Sequence, residues 1–381
     1  MSGPVSNNIS VGGDFKFQNI NMYKLQSASD PARVESTDET NLETDILLAN
    51  QVIAQRNTGI FALYNLNAGR FTLMGNIRCD IMDNRLTNKM FGSDTAVISK
   101  NFSKTSLRIG GSYNFSEVFT LFASWSQGFI PPSTEELASN PVGYSGFNTH
   151  LVPATSSSFD LGGRGFFGNK LNYEITGFMM NTENDFFRFK QHDRGNQEVF
   201  YGNAGNSKRI GIETSLSLSL LDNLSLQVAY TFARYKYTSA TVDPIYTDPD
   251  YVLTTPPETG QFLPNSPQHQ LFGEIVYSIS KNFGISFSTE YQSKWAIYTD
   301  AKAYNGELDP TIYRNWQDGF NLYHARVSYH WSFHGLNGEC SLFCRNLTGA
   351  QYMAFTEPDP DGNSYQPGPG REIFASLKVV F

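Results

Sequence analysis

The stretch Ile210-Gly-Ile-Glu-Thr-Ser-Leu-Ser-Leu-Ser-Leu220 alternates apolar and polar residues, and this period of two constrains the fold more than any other feature. Ile210, Ile212, Leu216, Leu218 and Leu220 fall on one face, Glu213, Ser215, Ser217 and Ser219 on the other. After Leu221-Asp222-Asn223 the alternation resumes, with Leu224, Leu226, Val228, Tyr230 and Phe232 set against Ser225, Gln227, Ala229, Thr231 and Ala233. Such a pattern specifies a hairpin of two strands, each long enough to cross a bilayer at a tilt.

The same pattern recurs along the chain. It predicts fourteen strands near 8–25, 57–66, 70–84, 103–114, 117–130, 155–167, 170–187, 207–221, 223–238, 266–280, 282–298, 320–334, 338–348 and 371–381. Short turns, at Asn67-Ala68-Gly69, Phe115-Ser116, Gly168-Asn169, Asp222-Asn223, Lys281-Asn282 and Gly335–Gly338, alternate with long segments. A soluble sandwich has no reason to alternate connection lengths so regularly. A transmembrane barrel does, because its turns are short on one side of the membrane and its loops long on the other. No run reaches the 18 apolar residues of a membrane-spanning helix, and the mean hydropathy of −0.35 says little against strands that alternate. The fold class is therefore all-β, an antiparallel up-and-down transmembrane β-barrel of about fourteen strands.

The polar face carries charge of both signs, including Asp14, Arg78, Asp80, Arg164, Glu174, Glu290, Arg326, Glu339 and Arg345. A mixed-charge interior suits a wide barrel holding water or a polar plug. The net charge of −8 makes nucleic acid an unsuitable partner. Cys79, Cys340 and Cys344 share parity with the apolar face; the last two lie roughly 13 Å apart along one strand, too far for a disulfide.

Four segments carry a family resemblance. Tyr201-Gly-Asn-Ala-Gly-Asn-Ser-Lys-Arg-Ile-Gly-Ile-Glu213, Phe122-Ala-Ser-Trp-Ser-Gln-Gly-Phe-Ile-Pro-Pro132 and Asn265-Ser-Pro-Gln-His-Gln-Leu271 are three of them. The fourth is Arg345-Asn-Leu-Thr-Gly-Ala-Gln-Tyr352 followed by Pro369–Phe381. In this order they resemble the TonB-dependent outer-membrane receptors, which take up ferric siderophores, cobalamin and other scarce nutrients. The resemblance implies a Gram-negative outer membrane, with membrane lipid and the barrel-assembly machinery as partners and Phe381 as an assembly signal. It also implies a small-molecule ligand, for which an iron chelate is the expectation, and no cofactor or enzymatic activity.

The family barrel has about twenty-two strands and a plugged lumen, so fourteen strands and no plug make this chain resemble its C-terminal portion. Met1-Ser2-Gly3-Pro4 lacks the charged and apolar regions of a signal peptide. The expectation is that signal peptide, energy-coupling box, plug and about eight strands are missing. The inner-membrane energy-coupling complex would then be reached only through the missing plug.

Site chemistry is sparse in the sequence. His324, His330 and His334 share one face but are spaced too far along a strand to share an ion, so no metal site is expected. Glu357-Pro-Asp-Pro-Asp-Gly362 imitates a calcium loop, yet Pro sits where backbone freedom is needed; a turn in an acidic loop is the better reading. No nucleophile–base pair is evident, so no catalytic residue is assigned. The long loops hold Tyr144, Phe147, His150, Tyr246, Tyr251, Tyr304 and Trp316. These side chains suit stacking on catecholates, sugars or porphyrin-like ligands, and equally suit packing loops against one another. Two other functions compete: a passive fourteen-stranded channel or fatty-acid-type transporter, whose first strand pairs with its last, and a barrel hydrolase with an acid/base cluster at one rim.

Overall fold

The structure is a computed structural model describing residues 5–26, 46–89, 97–141, 146–189, 200–203, 205–239, 259–297, 316–359 and 362–380. The wall strands are β1 (Val5–Gln26), β2 (Ile46–Ala68), β3 (Phe71–Asn88), β4 (Val97–Ser116), β5 (Phe119–Ile130), β6 (Ala154–Phe167) and β7 (Leu171–Glu183). Two loop strands follow, β8 (Phe186–Phe189) and β9 (Phe200–Asn203), and then wall strands β10 (Asn206–Leu221), β11 (Leu224–Ser239), β12 (His269–Ser278) and β13 (Phe283–Gln292). Beyond them come β14 (Trp295–Ala296), β15 (Trp316–Gln317), β16 (Phe320–Phe333), β17 (Leu336–Arg345), β18 (Met353–Asp359), β19 (Gly362–Pro367) and β20 (Glu372–Val380). One helix, α1 (Thr134–Ala138), is present among the described residues.

Fourteen strands form one antiparallel sheet, each hydrogen-bonded to its neighbours in the order β1-β2-β3-β4-β5-β6-β7-β10-β11-β12-β13-β16-β17-β20. The three remaining pairs, β8–β9, β14–β15 and β18–β19, are hairpins built into the long connections. Among the described residues no ladder joins β1 to β20. Register follows the pleat: Ile212 opposes Phe232 and Gly177, while Glu213 opposes Thr231 and Thr176. Each face therefore keeps one chemistry from strand to strand.

The outward face is apolar and uncovered. Ile77 (45%), Ile109 (54%), Ile175 (49%), Ile212 (48%), Phe287 (46%) and Leu342 (53%) all stand half-exposed, a continuous apolar band that water would not tolerate. Cys79, Cys340 and Cys344 are free thiols whose strand positions share this outward parity. No helix is long and apolar enough to cross a membrane, which has no bearing on crossing by strands.

Two departures from the sequence reading have physical causes. The second strand starts at Ile46, eleven residues before the expected 57, because β1–β4 continue far beyond the apolar band. There the inward side chains Gln51 and Ile53 are both buried and the outward ones no longer meet lipid, so the two-residue contrast fades. The turn expected at Gly335–Gly338 is the two-residue His334-Gly335, with φ of 49° and 82°. Positive φ at both positions is the type I′ geometry that matches strand twist. Phe381 lies outside the described residues.

Candidate functional site

At the long-loop end, the connection between β5 and β6 folds inward against the wall. It begins with α1, capped reciprocally: the Glu136 amide donates to Ser133 Oγ at 3.2 Å, and the Ser133 amide to Glu136 Oε2 at 2.7 Å. The cap directs Leu137 and Ala138, both fully buried, toward the inner face. With Phe147 and Leu151 they pack on Ile53 of β2 and Leu86 of β3, flanked by Met22, Ile98 and Phe102. This apolar cluster holds the loop in place.

Polar ties surround the cluster. The Gly146 amide donates to Gln51 Oε1 at 3.4 Å, and Asn148 Nδ2 to the Tyr201 carbonyl at 2.8 Å. Asn203 Nδ2 donates to the Val152 carbonyl while its Oδ1 accepts from the Val152 amide, both at 3.0 Å. Lys100, on the part of β4 beyond the apolar band, donates to the Thr149 carbonyl. Burial there holds its ammonium below the ordinary lysine range.

A second cluster ties together the long connections that follow β11, β13 and β17. Trp295 (2% exposed) donates from Nε1 to Thr356 Oγ1 at 3.1 Å, and Thr356 Oγ1 donates to Asn265 Oδ1 at 2.8 Å. Asn265 Nδ2 returns a bond to the Thr356 carbonyl at 2.7 Å, fastening the β18–β19 hairpin to the rim. Below it, Trp295, Phe320 and Tyr352 form an aromatic chain with centroid separations of 6.4 and 4.5 Å. Asn346 ties the next connection: its amide donates to buried His324 Nδ1 at 3.1 Å, and its side chain bonds Ala350 in both directions.

The inner wall carries cross-strand ion pairs. Arg78 bridges Asp14 at 2.8 Å and Asp80 at 2.7 Å, Arg326 meets Glu339 at 2.7 Å, and Arg345 meets Glu372 at 3.6 Å. His324 lies 3.5 Å from Glu290. Among the described residues no group of three or more His, Cys, Asp or Glu side chains gathers as a metal site. The arrangement is a polar inner face with structured, amide- and aromatic-rich connections at its long-loop end.

The sequence profile of the family described as "TonB dependent receptor-like, beta-barrel" matches residues 2–347. The chain belongs to that family. Solved structures share the fold of this TonB-dependent receptor barrel at low identity. The siderophore receptor PiuA from Acinetobacter baumannii superposes with a TM-score of 0.68 at 16% identity, covering 99% of this chain and 53% of PiuA. The ferric citrate transporter FecA in its unliganded form gives 0.69 at 16%, covering 99% and 51%. The copper transporter OprC gives 0.67 at 17%, covering 98% and 53%. The chain spans about half the length of each. The family and these structures are receptors and transporters, and TonB-dependent barrels are outer-membrane proteins of Gram-negative bacteria.

Of the loop residues singled out from the sequence for this TonB-dependent barrel, Phe147, His150 and Trp316 lie among the described residues. Phe147 is buried (3%) in the loop core, and His150 is exposed on the same loop. Trp316 is half-buried on β15, 5.6 Å from Phe262. Tyr144, Tyr246, Tyr251 and Tyr304 lie outside the described residues. The family-like motifs prove informative in another way. Asn203, Asn265 and Asn346 each belong to one, and each ties a loop to the rim. Asn265 and Asn346 do so from positive φ, 53° and 51°, a conformation Asn tolerates better than most residues. The motif was visible in the sequence; the role of its Asn was not.

Proposed function

We propose that this chain is the barrel portion of an outer-membrane receptor that takes up a scarce nutrient with energy supplied from the inner membrane, and that its cargo is a ferric siderophore. The observation that carries this reading is the absence, among the described residues, of any ladder between β1 and β20. A passive fourteen-stranded channel needs that ladder, whereas the wall of a wider barrel does not. The inner-wall ion pairs suit a polar domain seated in the lumen, through which the energy-coupling complex would act.

Iron chelate is favoured because the siderophore receptor PiuA and the ferric citrate transporter FecA share the fold, although the copper transporter OprC shares it too. Tyr144, Phe147, His150, Tyr246, Tyr251, Tyr304 and Trp316 remain the proposed contacts on the loop side, with Phe147 acting by shaping the loop from beneath. Outer-membrane lipid and the barrel-assembly machinery complete the partners, the latter reading Phe381. Uptake of radiolabelled ferric siderophores into cells carrying or lacking the gene tests the proposal. Gene-dependent uptake abolished by a protonophore is expected. Tight recognition of copper, cobalamin or an oligosaccharide with none of iron chelates would overturn the substrate, and protonophore-insensitive uptake would overturn the energy coupling.

A further inference from the structure

The turn that opens the last long connection is pinned to the wall by a histidine. Asn346, the residue after β17, donates its backbone N–H to Nδ1 of His324 on β16 at 3.1 Å. A backbone amide nitrogen can only donate, so Nδ1 presents its lone pair and carries no proton. The neutral ring then holds its one proton on Nε2. His324 is 3% exposed, and its buried Nε2 makes no hydrogen bond among the described residues. Glu290 Oε1 stands 3.5 Å away without bonding it. One nitrogen of the ring is engaged, and the other waits beside a carboxylate.

Each strand around the ring contributes to this state. On β13, Ser288 stands directly opposite His324, and half-exposed Glu290 lies on the loop side of it. On β17, Phe343 stacks on the imidazole with centroids 6.1 Å apart, and Arg345 follows Cys344, the partner of Ala325. On β16 itself Leu322 is buried and Arg326 is engaged by Glu339 at 2.7 Å. Glu372 of β20 reaches Arg345 at 3.6 Å. The charged groups that act on the ring are therefore Glu290 and Arg345, one of each sign.

A second proton changes the balance. It can enter only at Nδ1, since Nε2 is occupied, and an N–H placed there would point at the Asn346 N–H. The tie must break before the ring can charge, and the charged ring is drawn to Glu290 through Nε2. We propose that His324 is a proton-sensitive pin: neutral, it holds the Asn346–Ala350 turn on the wall; protonated, it releases Asn346 and turns to Glu290. The bond belongs to the neutral form, so it is present in full at high pH. It is lost as pH falls through the range in which histidine titrates, between about pH 8 and 5. Release is local, because the Leu347 amide still donates to the Tyr323 carbonyl at 2.7 Å and Asn346 still bonds Ala350 through its side chain. The Trp295–Thr356–Asn265 network farther along the connection contains no group that titrates in that range. The pin regulates the foot of this connection whatever the cargo.

The test uses the full chain folded in detergent micelles with isotope-labelled histidine. Nitrogen chemical shifts of His324 are expected to show a proton on Nε2 and none on Nδ1 above about pH 7.5. Hydrogen exchange, corrected for its intrinsic pH dependence, reads the tie itself. Protection of the Asn346 amide should fall about tenfold on acidification, the order of one lost hydrogen bond, with the ladders of β16 and β17 unchanged. His324→Asn keeps an acceptor at the Nδ1 position that does not titrate, so its protection should not depend on pH. Glu290→Gln removes the carboxylate that stabilises the charged ring, and its release should move to lower pH. If His324→Asn lacks the heat-modifiable folded form, the tautomer of the parent and the Glu290→Gln shift still decide. A proton on Nδ1 of the neutral ring, or pH-independent protection in the parent, would overturn the pin. So would parent-like release in His324→Asn, or a release midpoint in Glu290→Gln at or above that of the parent.

Discussion

The ring of Phe178 on β7 lies across Gly211, its directly paired residue on β10, so closely that a Cβ added to Gly211 would come within 2.6 Å of Phe178 Cζ. The same added atom would meet the Phe232 carbonyl oxygen at 2.3 Å. Phe61 over Gly12 and Phe122 over Gly162 repeat the relationship on the inner face, at 2.6 and 2.4 Å. In each pair the ring covers the strand that a glycine leaves bare, and a large side chain folds flat against the wall without projecting into the lumen.

A paired substitution tests this. Gly211→Ala forces both a backbone oxygen and a ring to move, which costs about 1–3 kcal/mol as overpacking does in a filled core. Gly75→Ala meets nothing within 4 Å and should be neutral or slightly stabilising. The measurement is the urea midpoint of each variant unfolding from detergent micelles. Equal midpoints would show that the wall yields at Gly211 without cost.

The loop core makes a separable prediction. Leu137 is fully buried against Ile53 and Leu86 yet belongs to a connection outside the wall ladder. Leu137→Ala should cost about 2–5 kcal/mol, confined to the loop, because the fourteen-strand ladder does not depend on it. Hydrogen exchange should therefore quicken across residues 131–153 and stay unchanged in β6 and β7. A loss of protection that spread into the wall would mean that loop and barrel unfold together.

What could be read from the sequence divides along the edge of the apolar band. Where one face meets lipid and the other a polar lumen, as in Ile210–Leu220, each side chain reports its own direction, and the strands emerge with small errors at their ends. Above the band that contrast disappears. Ile53 and Gln51 are both buried at neighbouring inward positions, so polarity no longer marks a face and the alternation locates β2 only from residue 57, although the strand begins at Ile46. The rim ties were hidden for a different reason. Asn265, Trp295 and Thr356 meet over sequence separations of up to 91 residues, and no local pattern announces such a meeting. Cation pairing was equally illegible: Arg78 and Lys208 look alike in sequence until register shows Asp14 beside one and Lys236 opposite the other.

Phe381 carries the proposed assembly signal, by resemblance to the family. Its neighbours on β20 fix the expectation for a control, since Val379 opposes Gly338 and Val380 opposes Asn337 on the lumen-side parity. Deleting Phe381 should reduce the amount of full-length receptor inserted in the outer membrane far more than Val380→Ala does. Heat-modifiable mobility in membrane fractions reads the difference, and equal insertion of the two variants would remove the signal from Phe381.

The last prediction concerns Thr356, which is fully buried and serves two partners through one hydroxyl, accepting from Trp295 Nε1 and donating to Asn265 Oδ1. Thr356→Val keeps the shape and removes both bonds, leaving a buried indole N–H and an amide oxygen unsatisfied at about 1–3 kcal/mol each. Thr356→Ser keeps the hydroxyl and loses one methyl, about 0.8 kcal/mol of apolar burial. The wall strands β16 and β17 do not use this hydroxyl, so both variants should insert and resist heat as the parent does. The β18–β19 hairpin, held to the rim by this network, should become markedly more sensitive to limited proteolysis in Thr356→Val and scarcely so in Thr356→Ser. Cleavage at parental rates in Thr356→Val would show that the aromatic chain Trp295–Phe320–Tyr352 suffices to hold the hairpin, with the hydrogen bonds contributing nothing that the protease can detect.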